Sequence, residues 1–184
     1  MSELKGMYKS KDLHFGKMEK WDSDVFWNLK QDSWMQTHQK TIINHADQDA
    51  WFESMEASNS PHNLVLAVRR SDEMSGYLGH LVGCYKIFNA DYISRSADVG
   101  WDLLEPFRGK GLGKAIVAGG ANFCFDILNL RRLNAEILET NIPSQKCATA
   151  AGFILEGTKR EAVHKPDGFV GSQVWGLLAS ERVD

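Results

Sequence analysis

The chain has 184 residues, 43% of them hydrophobic and 24% charged, and a formal net charge of −3 at pH 7. This size predicts one domain, residues 1–184, with a substantial core. The mild acidity argues against general nucleic-acid or membrane-surface binding. No run approaches the roughly 18 apolar residues of a membrane-spanning helix, and the first residues lack the apolar core of a signal peptide.

The cysteines and histidines predict neither a disulfide framework nor a metal site. The three cysteines, Cys84, Cys124 and Cys147, stand at wide spacing, which favours reduced thiols and a cytoplasmic protein. The six histidines nowhere combine with cysteine or with each other at zinc-like spacing.

The first half of the chain changes from strand-like to helical periodicity and back. Apolar residues at helical spacing predict two helices, the second with Asn44 as its N-cap. Two later strand-like runs, separated by the turn-forming segment 71–76, predict a β-hairpin. The predicted elements are a strand at 12–19, helices at 22–36 and 44–57, and strands at 63–70 and 77–88.

The second half predicts a parallel crossover followed by a hairpin. A strand at 96–104 alternates, with apolar odd-numbered residues from Val99 to Leu103 on one face and Asp98 and Asp102 on the other. The elements that follow are a helix at 112–128, a strand at 131–138, a helix at 142–152, and strands at 153–160 and 172–180. A strand–helix–strand succession implies a parallel crossover. The order predicts an α/β (α+β) fold, a mixed, mostly antiparallel twisted sheet with a central parallel β-α-β crossover and helices on both faces.

A glycine-rich loop stands between the strand at 96–104 and the next helix. Its sequence, RGKGLGK from Arg108 to Lys114, places glycines where backbone N–H groups and a helix N-terminus converge, which favours an anion such as a phosphate. Arg108 adds a bidentate donor. The Walker pattern fails because Ala115 stands where a magnesium-binding hydroxyl belongs, and the dinucleotide pattern G-x-G-x-x-G fails because Gly113 comes one residue early.

The loop instead matches R/Q-x-x-G-x-G/A through Arg108, Gly111 and Gly113. Downstream, Asn141 and Ser144 match Asn-x-x-Ser, and Gly152-Phe153 and Glu156-Gly157 follow in order. The segment 41–55 resembles an H-x-x-W-F segment. Together these motifs resemble the GCN5-related N-acetyltransferases (GNAT), in particular the RimJ/RimL-type and amino-sugar N-acetyltransferase-like branches.

This resemblance implies a site for acetyl-CoA, used as the acyl donor without a metal. In the family the strand before the loop splays from its neighbour, the pantetheine arm lies between them, and the loop binds the pyrophosphate. The resemblance assigns cofactor binding to Val99, Trp101, Leu103, Arg108, Gly109, Lys110, Gly111, Leu112, Gly113, Lys114, Asn141 and Ser144.

The catalytic assignments are less direct because one family residue is missing. The tyrosine that usually protonates the leaving thiolate is replaced by Ala148, so Ser144, or a water held by Ser144 and Asn141, is the candidate acid. Candidate bases are Asp98, Asp102 and Glu136, with Asp98 favoured, since paired carboxylates on one strand face can raise one pKa. A water chain is the alternative base.

The resemblance implies transfer of an acetyl group from acetyl-CoA to a primary amine. The acceptor stays open between an amino sugar, a protein N-terminus and another small amine such as a polyamine or an aminoglycoside. The alternative is a non-catalytic acyl-CoA-binding or sensing domain, and a phosphate-loop nucleotide hydrolase is the third class. We expect a monomer or homodimer, with no nucleic-acid or membrane partner.

Overall fold

The computed structural model describes residues 8–33, 44–58, 62–70 and 79–182. Its strands are β1 (Tyr8–Ser10), β2 (Leu13–Lys17), β3 (Leu64–Arg70), β4 (Leu81–Asp91), β5 (Ser96–Leu103), β6 (Arg132–Leu138), β7 (Ile154–Lys165) and β8 (Gly168–Leu178). Its helices are α1 (Lys20–Ser33), α2 (His45–Ser58), α3 (Leu112–Asp126) and α4 (Ile142–Ala150). The predicted turn at 71–76, the start of the strand predicted at 77–88 and the end of the first predicted helix lie outside the described residues.

The described strands form one eight-stranded sheet in the order β1-β2-β3-β4-β5-β6-β8-β7. Within the described ranges, β5 and β6 are the parallel pair and α3 crosses between them, while the other neighbours are antiparallel. The predicted fold class is therefore confirmed. Strand β1 was not predicted, since three residues are too few to show a period.

The two faces of the sheet carry different cores because side chains alternate along each strand. Leu66, Val68 and Tyr85 point to the face that α3 covers, and they belong to the larger cluster. Ala67 and Cys84 point to the other face and form a smaller cluster, whose remaining members are Met18, Phe26 of α1 and Phe52 of α2. Helices thus cover both faces, as the sequence predicts.

Two glycines in the middle of α3 allow the helix to approach the sheet closely. A Cβ at Gly119 would lie 2.7 Å from the Phe15 ring, and one at Gly120 would lie 2.5 Å from Cε2 of Tyr85 and closer still to two other ring atoms. Both rings are fully buried. This close approach fixes the height of α3, and hence of its N-terminus, above β4 and β5.

The helix boundaries follow local signals that the sequence carries. Asn44 Oδ1 accepts a hydrogen bond from the backbone N–H of Asp47 at 2.9 Å, which confirms it as the N-cap of α2. Gly152 follows α4 with φ of +93°, as a helix-terminating glycine does. The C-terminal hairpin is confirmed too, but β7 runs five residues beyond the predicted end at 160.

Candidate active site

A gap opens in the sheet where β5 and β6 diverge. The ladder between them comprises three register pairs and ends at Asp98–Asn134, although both strands continue. A pocket of about 630 Å³ fills the gap. Its lining comes from 98–102 of β5, 134–138 of β6, Asn141 and Ser144 at the start of α4, and Lys86, Phe88 and Val174 on flanking strands.

The backbone of β5 presents hydrogen-bonding groups to this gap. The N–H of Leu104 donates to the carbonyl of Val82 at 2.9 Å, so these two residues form a hydrogen-bonded pair of the antiparallel ladder. Because such pairs alternate along a ladder, Asp102 and Gly100 also bond to β4. The N–H and C=O groups of Val99, Trp101 and Leu103 therefore turn toward β6. Their side chains pack with the core on the α3 face.

The glycine loop leads from β5 to the N-terminus of α3. Gly109 and Gly111 have φ of +75° and +79°, a left-handed conformation that favours glycine, and Gly111 is the N-cap of α3. Apart from the flanking residues of each glycine, no atom of the described residues lies within 4 Å of a Cβ built on Gly109 or Gly111, so both backbones border open space. The N–H groups of Leu112, Gly113 and Lys114 precede the first intrahelical bond, which joins the Ala115 N–H to the Gly111 carbonyl at 3.4 Å. Free N–H groups at a helix N-terminus form a geometry that suits an anion.

Two basic side chains of the loop each contact a backbone carbonyl. Arg108 Nε donates to the carbonyl of Leu103 at 3.2 Å, and Lys110 Nζ donates to that of Pro106 at 2.8 Å. Both side chains are exposed, and each cation has further donors besides the one used. Arg108 and Lys110 thus stand beside the loop with donors available for an anion.

Gly113 and Leu112 have packing roles that the motif did not predict. A Cβ at Gly113 would lie 2.9 Å from Cys147 Sγ, so glycine here allows α3 to contact α4. The side chain of Leu112 is buried in the core on the α3 face. Only the backbone of either residue faces the loop.

The first turn of α4 closes one end of the pocket. Asn141 is the N-cap of α4, and its Oδ1 accepts a hydrogen bond from the Ser144 N–H at 3.2 Å. Since Asn141 performs the capping, the Ser144 hydroxyl is not needed for it, and Ser144 lines the pocket. Ala148, one turn further, is fully buried in the core.

The three candidate carboxylates line or border the pocket on the α1/α2 face, and each has different partners. Asp102 forms an ion pair with Lys86 and accepts from Cys84 Sγ at 3.6 Å. Glu136 forms an ion pair with Lys159 and accepts from the buried hydroxyl of Ser172 at 3.0 Å. Asp98 accepts from the amides of Asn89 at 2.9 Å and Asn134 at 3.3 Å. Asp102 is therefore paired with Lys86, and it does not form the carboxylate pair with Asp98 that the sequence predicts.

Burial and charge act in opposite directions on Lys86. Burial lowers its pKa, but the carboxylate of Asp102 and the thiol of Cys84 raise it, and the net pKa is above the ordinary lysine value. Lys86 is therefore a cation at neutral pH, and it neutralises Asp102 at the base of the pocket.

Comparison with known proteins identifies the family. The domain model described as Acetyltransferase (GNAT) domain matches residues 12–154, more than half of the chain. The chain belongs to the GNAT family. The resemblance inferred from the glycine loop and the Asn-x-x-Ser segment is thereby confirmed, and the chain is an N-acetyltransferase.

Relatives of this acetyltransferase are distant in sequence and close in fold. An uncharacterized N-acetyltransferase, p20 of Bacillus licheniformis, is 26% identical over 175 residues, covering 92% of this chain and 94% of p20. YdaF of Bacillus subtilis, provisionally named a ribosomal N-acetyltransferase, is 28% identical over 88 residues, 48% of each chain. The solved spermidine N-acetyltransferase of Vibrio cholerae, in complex with CoA and spermine, has a TM-score of 0.82 at 17% identity, covering 94% of this chain and 98% of that one.

Several residues of the acetyltransferase pocket were not predicted from the sequence. Lys86, Phe88 and Val174 lie on strands whose register with β5 and β6 the sequence does not reveal. Asn134 was assigned only to a strand, although the same alternation that placed Glu136 in the cleft places Asn134 beside it. That alternation was the available signal.

Three further observations concern metal ligands, membrane-spanning helices and cysteines. Among the described residues, no group of three or more His, Cys, Asp or Glu side chains is placed to hold a metal ion. None of the helices within the described ranges has the length and apolarity that crossing a bilayer requires. The thiols of Cys84 and Cys124 are buried, and burial raises the pKa of Cys124 to about 12.

Proposed function

We propose that this GNAT enzyme transfers an acetyl group from acetyl-CoA directly to a primary amine. The observation that carries this proposal is the divergence of β5 and β6 beside the glycine loop, at the N-terminus of α3. A slot between two strands that ends at an anion-binding loop suits a long, flexible ligand with a pyrophosphate at one end. The open space at Gly109 and Gly111 supports the same fit.

In this proposal, backbone groups hold the cofactor. Val99, Trp101 and Leu103 offer their N–H and C=O groups to the pantetheine arm, as an added strand would be bound. An N–H of this segment polarises the thioester carbonyl, which makes it the electrophile. The N–H groups from Gly109 to Lys114, with Arg108 and Lys110, bind the pyrophosphate.

The polar residues of the pocket are the proposed donor and acceptors of protons. Ser144, with Asn141 beside it, is the proposed source of the proton for the leaving thiolate, directly or through a water. Asp98 is the proposed acceptor of the amine proton, and Glu136 is the second candidate. Replacing Ser144 with Ala should lower kcat by about a hundredfold, the lower end of the range for general-acid catalysis.

For the acceptor we propose a small amine that carries more than one positive charge, such as a polyamine. The charged side chains of the pocket lining are three carboxylates and one lysine, so the pocket favours a cationic ligand. The Vibrio cholerae neighbour, a spermidine N-acetyltransferase, was solved with spermine. An amino sugar such as glucosamine carries a single positive charge, as does the reacting amine of a protein N-terminus, whereas a polyamine carries several.

The test is a turnover assay that measures free CoA chromatographically with spermidine, glucosamine and an N-terminally unblocked peptide. We expect the highest kcat/KM with spermidine. A higher value for glucosamine or the peptide would overturn the acceptor proposal and keep the acetyl transfer. Binding of acetyl-CoA without turnover of any acceptor would favour the non-catalytic, acyl-CoA-sensing alternative.

We also propose that the enzyme acts as a cytoplasmic monomer or homodimer of this single domain. One solved form of the Vibrio cholerae neighbour is dodecameric, so larger assemblies occur on this fold. Light scattering of the purified chain distinguishes these states, and a mass of twelve subunits would contradict the proposal.

A further inference from the structure

A chain of side-chain hydrogen bonds connects the surface of β7 to the pocket carboxylate Asp98. Arg132 Nε donates to Asn134 Oδ1 at 2.7 Å, and Asn134 Nδ2 donates to Asp98 Oδ1 at 3.3 Å. Arg132 Nη2 in turn contacts Glu156 Oε2 on β7 at 2.5 Å. Arg132 and Asn134 are two residues apart on β6, so their side chains share one face of the sheet.

The arginine determines how the Asn134 amide is oriented. Arginine Nε carries a hydrogen and has no lone pair to accept with, so the Asn134 atom beside it must be the oxygen. The amide nitrogen of Asn134 then faces Asp98, and the opposite orientation would place two donors against each other at Arg132. Asn134 is therefore an obligatory donor to Asp98.

The Asp98 carboxylate is held on both oxygens and is not neutralised. Asn134 donates to Oδ1 and Asn89 donates to Oδ2, from the strands on either side of β5. Each carboxylate oxygen has lone pairs for a second hydrogen bond. Within the part of the chain that the structure describes, no cationic side chain forms an ion pair with Asp98, whereas Asp102 and Glu136 each pair with a lysine. Asp98 is thus the pocket carboxylate best able to bind a cation from the ligand.

We propose that Asn134 is a positioning residue, which orients Asp98 so that its remaining lone pairs bind the ammonium group of the acceptor amine. This inference rests on the proposed acetyl transfer. In this proposal Asn134 acts through Asp98 and has no direct role in holding the thioester. Replacing Asn134 should therefore lower kcat/KM for the amine and leave acetyl-CoA binding unchanged.

The decisive variant is Asn134→Asp, which is nearly isosteric. An aspartate at 134 still accepts from Arg132, but it cannot donate to Asp98 and places a second negative charge beside it. We expect kcat/KM for the amine to fall by about tenfold to hundredfold, the cost of misplacing a reacting group. The KM for acetyl-CoA should stay within about twofold of wild type.

Two further variants distinguish a positioning role of Asn134 from a purely structural role. The swap variant Asp98→Asn/Asn134→Asp restores a hydrogen bond between the two positions with donor and acceptor exchanged, so stability should return while amine turnover stays low. The matched control is Asn129→Asp, because Asn129 Oδ1 also accepts from an arginine, Arg95 Nη2 at 2.6 Å, outside the pocket lining. This control should keep wild-type kinetics.

The assay uses the full chain, saturating acetyl-CoA and the most active of spermidine, glucosamine and the unblocked peptide. Wild-type kcat/KM in Asn134→Asp, or recovery of activity in the swap variant, would overturn the role of Asn134 and leave the acetyl transfer intact. Absence of turnover by the wild-type protein with every acceptor would overturn both proposals together.

Discussion

Replacing Gly120 with Ala tests whether close packing of α3 on the sheet explains a glycine in the middle of a helix. Helix propensity alone predicts that the change stabilises the protein by about 1 kcal/mol. The structure predicts the opposite. The added Cβ would lie 2.5 Å from Cε2 of Tyr85 and nearer to two other atoms of that ring, whereas carbon atoms in contact prefer about 3.5–4.0 Å.

The expected loss of stability in Gly120→Ala follows from the immobility of the Tyr85 ring. Tyr85 is fully buried beneath α3, so it cannot move aside without displacing other core residues. We take the upper end of the overpacking range, about 3 kcal/mol. After the propensity gain of about 1 kcal/mol, a net loss of about 2 kcal/mol remains. For a chain of this length that lowers Tm by about 4–8 °C.

The assay is a double-mutant cycle with Tyr85→Leu, measured by urea unfolding and thermal melts. In the Tyr85→Leu background the obstruction is removed, and Gly120→Ala should be neutral or stabilising. The coupling between the two positions should be about 2–3 kcal/mol, the upper part of the range for residues in contact. A Gly120→Ala protein that melts higher than wild type would refute the reasoning.

Three other perturbations address the site. Gly111→Trp places a side chain in open space at the loop, so it should abolish the acetyl-CoA-induced rise in Tm while costing about 1–2 kcal/mol in stability for the left-handed backbone. Lys86→Met leaves the partly buried Asp102 without its ion-pair partner and should cost up to about 3 kcal/mol. Because the pKa of Lys86 is raised, the full contribution of the pair persists below the free-lysine pKa of about 10.4 and is lost as pH rises through the higher folded value. Urea melts at several pH values measure this dependence. Cys147 is the half-buried thiol, so DTNB should titrate one thiol per native chain and three after denaturation. The native reaction should be slow at neutral pH, because burial raises the pKa of Cys147 against the opposing effect of Lys114. Rapid reaction of all three thiols would contradict the buried placement of Cys84 and Cys124.

Local signals in the sequence account for much of the fold. Left-handed backbone at Gly109 and Gly111 requires residues that tolerate positive φ, and Asn44 and Gly152 mark helix ends by their own hydrogen bonding and conformation. Such features depend on a few neighbouring residues. The order of strands and helices was predicted for the same reason, because periodicity is a property of each segment alone.

Pairings between distant strands could not be predicted in this way. Asp98 and Asp102 share a face of β5 as expected, but Asp102 is paired with Lys86 through the register of β4, and Asp98 meets Asn134 through the first pairs with β6. The sequence separations are 16 and 36 residues, and no local pattern encodes register over that range. The backbone assignments in β5 came from the family resemblance, and composition or periodicity alone does not provide them.

The most direct test of the central claim is a thermal melt of the wild-type chain with and without acetyl-CoA, using Gly111→Trp as the matched control. At a cofactor concentration of about 100 times Kd, binding to the folded state adds about 2.7 kcal/mol. That corresponds to a rise in Tm of about 5–11 °C for a chain of this length. We expect this rise in the wild type and none in Gly111→Trp. An unchanged wild-type Tm at millimolar acetyl-CoA, or an equal rise in both proteins, would contradict the assignment of the glycine loop and the β5–β6 gap as the acetyl-CoA site.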